Sequence, residues 1–149
     1  MWTKTITPRF GEIDGQLHVN NCVPPTWFET AREPFFRLFH PDLDLEQEWN
    51  IVMARYSVDF CNQMRFGVDV EIRTFIKKIG RSSVTVYQEA WQNGVLGVKG
   101  EAILVNYDKA ALKSIPIPER IREELAKHML EDSEHDPRPG SRRLPPAKR

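Results

Sequence analysis

From Val52 onward the apolar residues of this chain recur at every second position, and that period decides which folds are open to it. Val52, Ala54, Tyr56, Val58 and Phe60 share one face of a strand, and Val68, Val70 and Ile72 share one face of the next. Val84, Val86 and the run from Val95 to Val105 continue the alternation. Successive side chains of a strand point to opposite faces, so these stretches are expected to bury one face of an antiparallel sheet. Asn93-Gly94, between two of the runs, is a strong hairpin signal, because both residues accept the positive φ of a tight two-residue turn.

Upstream the period is helical. Phe28, Ala31, Phe35, Leu38 and Phe39 form a stripe behind Pro24-Pro25, and proline suits the first helical position. Pro34 lies inside the stripe and cannot donate to the carbonyl of Thr30, so a kink or early break is expected there. Residues 2 to 10 read as a short opening strand. A closing helix is expected over about Pro118 to Leu130, burying Ile121, Leu125 and Met129. Strand, long helix, four long antiparallel strands and a short helix make an α+β domain whose curved sheet wraps one central helix. Such a sheet leaves one edge and one face open, and a homodimer or homotetramer is the expected remedy.

At 149 residues and 40% apolar content the chain supports a single core. Its zero formal net charge excludes a general nucleic-acid binder. The domain is expected to span residues 1–132. Residues 133–149 hold five Lys or Arg, two acids and four of the eleven prolines, and read as a flexible tail that buries too little to fold. A minority reading makes that tail an arm for phosphates, through Arg142 and Arg143. Cys22 and Cys61 give no disulfide framework. The opening MWTKTITPRF has no apolar core of a signal peptide, and no stretch is long enough for a membrane span. A cytoplasmic protein with no membrane and no nucleic-acid partner is expected.

The chemistry concentrates between residues 9 and 32, RFGEIDGQLHVNNCVPPTWFETAR. Asp14, His18, Asn20 and Asn21 crowd into eight positions just before the helix. A structural reading is open: Asp14-Gly15 is a common turn dipeptide, and Asn20 or Asn21 could cap the helix. Capping needs one side chain, however, and accounts for neither His18 nor Asp14. A metal set of Glu12, Asp14 and His18 has no familiar ligand spacing behind it, and no metal or cofactor is expected. Cys22 beside the helix start is a rival nucleophile. Glu29 is a second candidate base, or a partner for Arg32 at i, i+3. Asp59 falls on the strand face opposite Tyr56 and reads as solvent-exposed. Lys77, Lys78, Arg81 and Ser82 make a basic turn that could hold phosphates.

This segment resembles the signature of the 4-hydroxybenzoyl-CoA thioesterase-like branch of the hotdog-fold thioesterases. The matching residues are Phe10, Glu12, Asp14, Gly15, His18, Val19, Asn20, Asn21, Trp27, Phe28, Glu29, Ala31 and Arg32. Ile79-Gly80-Arg81-Ser82-Ser83-Val84 resembles a strand turn of the same branch, so the likeness spans roughly residues 3 to 130. The family's usual tyrosine four residues after the first asparagine is Pro24 here. The resemblance implies a hotdog fold and hydrolysis of an acyl-CoA or acyl-carrier-protein thioester. It places Asp14 as the catalytic carboxylate, with His18 and Asn20 orienting it or donating to the thioester. Asn21, Trp27, Phe28, Arg81 and Ser82 are then the substrate-binding candidates, and the amides opening the helix near Trp27 and Phe28 a site for the developing oxyanion. The alternative is a non-catalytic module that binds acyl-CoA. A hotdog hydratase fits less well, since its carboxylate–histidine spacing is five and here it is four.

Overall fold

The alternating runs form one antiparallel sheet in the computed structural model, which describes residues 1–43 and 49–131. The expected tail over 133–149, with Arg142 and Arg143, lies outside the described residues. The strands are β1 (Trp2–Ile6), β2 (Ile51–Phe60), β3 (Val70–Ile79), β4 (Ser83–Gln92), β5 (Val95–Asp108) and the short β6 (Lys113–Ser114). The helices are α1 (Pro24–Ala31), α2 (Glu33–Phe39) and α3 (Glu119–Ala126), and a single 3₁₀ turn covers Phe10–Glu12. The sheet runs β1-β3-β4-β5-β2, with β6 pairing β5. The β4–β5 hairpin turns at Asn93 and Gly94, whose φ values of 51° and 70° suit the tight turn read from that dipeptide.

The sheet curls around α1 and α2, as the hotdog architecture requires. Trp27, Phe28 and Ala31 of α1 pack with Met64, Val70, Ile72, Ala90 and Val98. Phe35 of α2 and Ile121 and Leu125 of α3 pack with Ile76, Val84, Val86 and Leu104. Gly100 lets the two layers close: a β-carbon there would stand 3.1 Å from the ring of Phe28 and 3.2 Å from the Ser57 carbonyl. No helix among the described residues is long and apolar enough to cross a membrane.

The helix break expected at Pro34 is present, and two details differ from the periodicity. The long helix is two helices, broken at Arg32 just ahead of Pro34, because that ring can sit only in a helix's first turn. In β2 a bulge at Ala54 shifts the register, so Met53 stands opposite Leu104 and Tyr56 opposite Ala102. Ile51 and Met53 therefore share the face of Tyr56 and Val58, whereas Val52 and Ala54 do not: one extra residue inverts every side chain before it. The last helix ends at Ala126. Met129 is exposed, because a turn at residues 127 and 128 ends the helix and residues 128 and 130 then exchange backbone hydrogen bonds with Ile76.

The break at Arg32 turns a charged side chain inward. Arg32 is 3% exposed, and its Nη1 donates to Gln88 Oε1 at 3.0 Å. Gln88 Nε2 in turn donates to the Phe28 carbonyl and to Thr74 Oγ1, at 2.9 and 3.0 Å. The guanidinium also lies over the Tyr56 ring, 5.6 Å from its centre. Burial lowers the pKa of Arg32 and raises that of Tyr56. Gln88 thus clamps the helix layer to the sheet. Gln88→Leu keeps the volume but strands a buried guanidinium N–H and takes the amide donor from Thr74 Oγ1, while the Phe28 carbonyl keeps the Arg32 N–H, so thermal unfolding should show a loss of about 3 kcal/mol. An unchanged melting temperature would mean that the clamp contributes nothing.

Candidate active site

The polar segment before α1 is a tight loop pinned at several points. Ile13 bridges Val19 and His18 bridges Arg65 as isolated β-pairs. The Asp14 N–H donates to the His18 carbonyl at 2.8 Å, and the Val19 N–H donates to Met64 at 2.8 Å. Asp14 also organises the loop through its side chain. Its Oδ1 accepts the N–H groups of Gln16 at 2.9 Å and His18 at 3.2 Å. One carboxylate oxygen therefore sets the turn, and the carboxylate itself stands on the wall of a cleft.

That cleft measures about 410 Å³ and opens between the loop, the end of β2 and the connection to β3. Asp14, His18, Asn20 and Asn21 line it together, joined by Gln16 from the same loop. Val19, Phe60, Met64 and Val98 supply its apolar surface, and Cys61, Asn62 and Gln63 the rest of its polar wall. The His18 imidazole is half-buried and has no hydrogen-bond partner among the described residues. Asn20 is no helix cap. Its Oδ1 accepts the Cys22 N–H at 2.9 Å, and α1 has no side-chain cap at all. What the cleft offers is a carboxylate, an imidazole and several carboxamides on one surface, which is the equipment for general-base attack on a carbonyl and stabilisation of its oxyanion.

Several expected contributors lie elsewhere. Trp27 and Phe28 do not line the cleft: they are 5% and 0% exposed, and the Trp27 indole donates to Glu12 Oε2 at 3.0 Å. The helix-opening amides are spent as well. Pro24 and Pro25 carry none, and those of Thr26 and Trp27 donate to the Val23 carbonyl at 2.9 and 3.3 Å. Phe28 stands one turn in, where its N–H belongs to the helix ladder. Donors for an oxyanion must then come from His18 and the carboxamides. Glu12 accepts from Trp27 and from the Arg9 N–H, so it does not join Asp14 and His18. Among the described residues no group of three His, Cys, Asp or Glu side chains is placed to hold a metal ion.

Neither cysteine suits the nucleophile's role. Cys22 is exposed and does not line the cleft, while burial pushes the Cys61 thiol up, away from the thiolate. Asp59 is exposed. Glu29 is exposed and makes no ion pair with Arg32, which is committed to Gln88. Glu29 borders a second cavity instead, of about 580 Å³, walled by Phe36, Trp49, Ile51, Met53 and Leu104.

Arg81 and Ser82 occupy the β3–β4 turn, whereas the cleft sits where β3 begins. Ten residues of strand separate the two ends, roughly 30 Å at 3.3 Å per residue. Within one subunit they do not meet. Arg81 is exposed, its carbonyl held by Arg122, and Lys77 is paired with Glu101.

Sequence reasoning missed Cys61, Asn62, Gln63 and Met64. The only signal was a polar run interrupting the alternation directly after Phe60.

Comparison with known proteins places the fold in a family. A family model described as the thioesterase-like superfamily matches residues 8–125. A predicted thioesterase from Bacillus stearothermophilus is 43% identical, with 87% of this chain and 97% of that one covered and a TM-score of 0.82. A thioesterase from Thermus thermophilus, solved with coenzyme A and Zn, is 30% identical over 83% of this chain and 96% of that one, at a TM-score of 0.72. A thioesterase-superfamily structure from Jannaschia sp. is 25% identical over 85% and 83%, at 0.74. Among curated proteins none matched. The chain belongs to the thioesterase-like superfamily.

Proposed function

We propose that this protein hydrolyses acyl thioesters of coenzyme A or of a carrier protein, with Asp14 as the catalytic carboxylate. The observation that carries the reading is the convergence of Asp14, His18, Asn20 and Asn21 on one cleft. Asp14 takes a proton from a water as that water attacks the thioester carbonyl, and the proton passes to the departing thiolate; or Asp14 attacks the carbonyl itself, giving a mixed anhydride that a water then hydrolyses while the thiolate leaves and is protonated. His18 and Asn21 donate to the carbonyl oxygen as it gains charge. The coenzyme A bound by the Thermus thermophilus relative supports a CoA ester as substrate.

The working unit in this reading is a homodimer built through β2. Among the described residues β2 has one sheet neighbour, β5, and its other edge is open. Two copies pairing there antiparallel bring the Phe60 end of one against the Ile51 end of the other. Ile51 pairs with Asn106, and the Asn106 N–H donates to the Ser82 carbonyl. A partner's Arg81-Ser82 turn and its 580 Å³ cavity, apolar along Phe36, Trp49, Ile51, Met53 and Leu104, thus come to the end where the Asp14 cleft opens. The cavity takes an apolar acyl group, and Arg81 meets the phosphates of coenzyme A.

Free-thiol release across a panel of acyl-CoA and acyl-carrier-protein esters tests the activity. No release from any ester would overturn it. Arg81→Glu should raise KM for CoA esters about tenfold, an effect that added salt on the parent protein should imitate. A variant whose KM and salt response match the parent's would take Arg81 out of the site.

A further inference from the structure

The cleft has a second polar wall, and its chemistry differs from that of the Asp14 loop. Asn62 sits on the connection from β2 to β3. The N–H groups of Cys61 and Asn62 both donate to the Gly97 carbonyl, at 2.8 and 3.0 Å, which fixes the backbone of this turn. The Asn62 side chain is fixed too: its Nδ2 donates to the Leu96 carbonyl at 2.8 Å. With the amino group committed, Oδ1 is left as an acceptor that no protein donor satisfies among the described residues. Asn20, on the loop wall of the same cleft, is arranged in the opposite sense. Its Oδ1 takes the Cys22 N–H, and Nδ2 is left as a donor.

One preset acceptor and one preset donor in a single cleft match a neutral group with one N–H and one C=O, which is a secondary amide. Charge points the same way. Among the described residues no Lys or Arg lines this cleft and Asp14 is its only carboxylate, so it does not suit a phosphate. Thioesters of coenzyme A and of carrier proteins share such an amide, placed two methylene groups from the sulfur.

We infer that Asn62, together with Asn20, recognises the cysteamine-side amide of the pantetheine arm, Asn62 Oδ1 accepting its N–H and Asn20 Nδ2 donating to its C=O. The inference rests on the thioester reading above and adds a positioning residue to it. Holding the amide at a fixed point sets where the neighbouring thioester lies against Asp14. Both asparagines are anchored by their other end before substrate arrives, so little ordering accompanies binding.

Calorimetric titration of the full chain with coenzyme A and with 3′-phospho-ADP, the same nucleotide without the arm, tests this. Asn62→Leu should weaken coenzyme A binding about tenfold, the scale of one lost hydrogen bond, and should move 3′-phospho-ADP by less than about twofold. Asn62→Ser, smaller and still polar, should give the same differential if leucine disturbs the turn. Equal losses on both ligands, or no loss on coenzyme A, would overturn the assignment. Holo and apo forms of an acyl carrier protein are the second arm: a loss confined to the holo form assigns the amide to a carrier as well. If coenzyme A binding depends on Asn62 while no ester is hydrolysed, the amide site stands and the thioesterase reading fails. If esters are hydrolysed and Asn62→Leu binds coenzyme A as the parent does, the reverse holds.

Discussion

Asp14→Asn should lower kcat for a good thioester substrate by roughly 10²–10⁴, the usual scale for losing an acid–base group. The substitution is a clean one because of how the loop is built. The two amides that set the turn, from Gln16 and His18, both bind Oδ1, and an asparagine keeps that oxygen. Only the negative charge disappears, so the melting temperature should stay near the parent's. Asp14→Ala removes charge and acceptor together, and should lose about 1 kcal/mol of stability besides the activity. Steady-state kinetics and thermal unfolding of the two variants separate the roles. An Asn variant that keeps more than half the parent's kcat would refute Asp14 as the reacting carboxylate, and Glu29→Gln would be tested next.

Mixing two crippled proteins should restore activity. If Asp14 of one subunit works with Arg81 of the other, an Asp14→Asn subunit paired with an Arg81→Glu subunit places both defects in one site and leaves the second intact. Random exchange makes about half of the dimers mixed, each with one intact site, so activity at low ester concentration should return to roughly a quarter of the parent's. Neither parent variant alone should approach that value. Light scattering should give about twice the subunit mass of 17.4 kDa, or four times for paired dimers. A mass of one subunit, or no recovery on mixing, would refute the shared site.

Much of this molecule is legible along the chain because the forces that shape it act locally. A period of two commits Val84, Val86 and Val98 to one buried face, and Asn93-Gly94 forces the hairpin between β4 and β5. Pro34 breaks the helix whatever surrounds it. The grouping of Asp14, His18, Asn20 and Asn21 is local as well: eight residues of pinned loop cannot spread far, so the cleft gathers all four side chains. That spacing and the family signature single these four out as the candidate site.

What the tertiary structure decided depends on distance and on competition between partners. Trp27 and Phe28 look like pocket walls in the sequence, but the sheet buries them, and no local pattern says whether an aromatic helix face meets substrate or core. The helix-opening amides look free until Val23 is seen to accept them. A bulge at Ala54 moves Met53 to the face of Tyr56, an inversion that no alternation can announce, since it adds a residue without changing the period. Asn62 enters the cleft only because β2 ends beside the loop, and Arg81 is kept from it by the length of β3. The sequence by itself determined the strands, the helix break and the polar loop of the cleft, because each follows from neighbouring residues. Which other segments face that loop was settled by the path of the sheet.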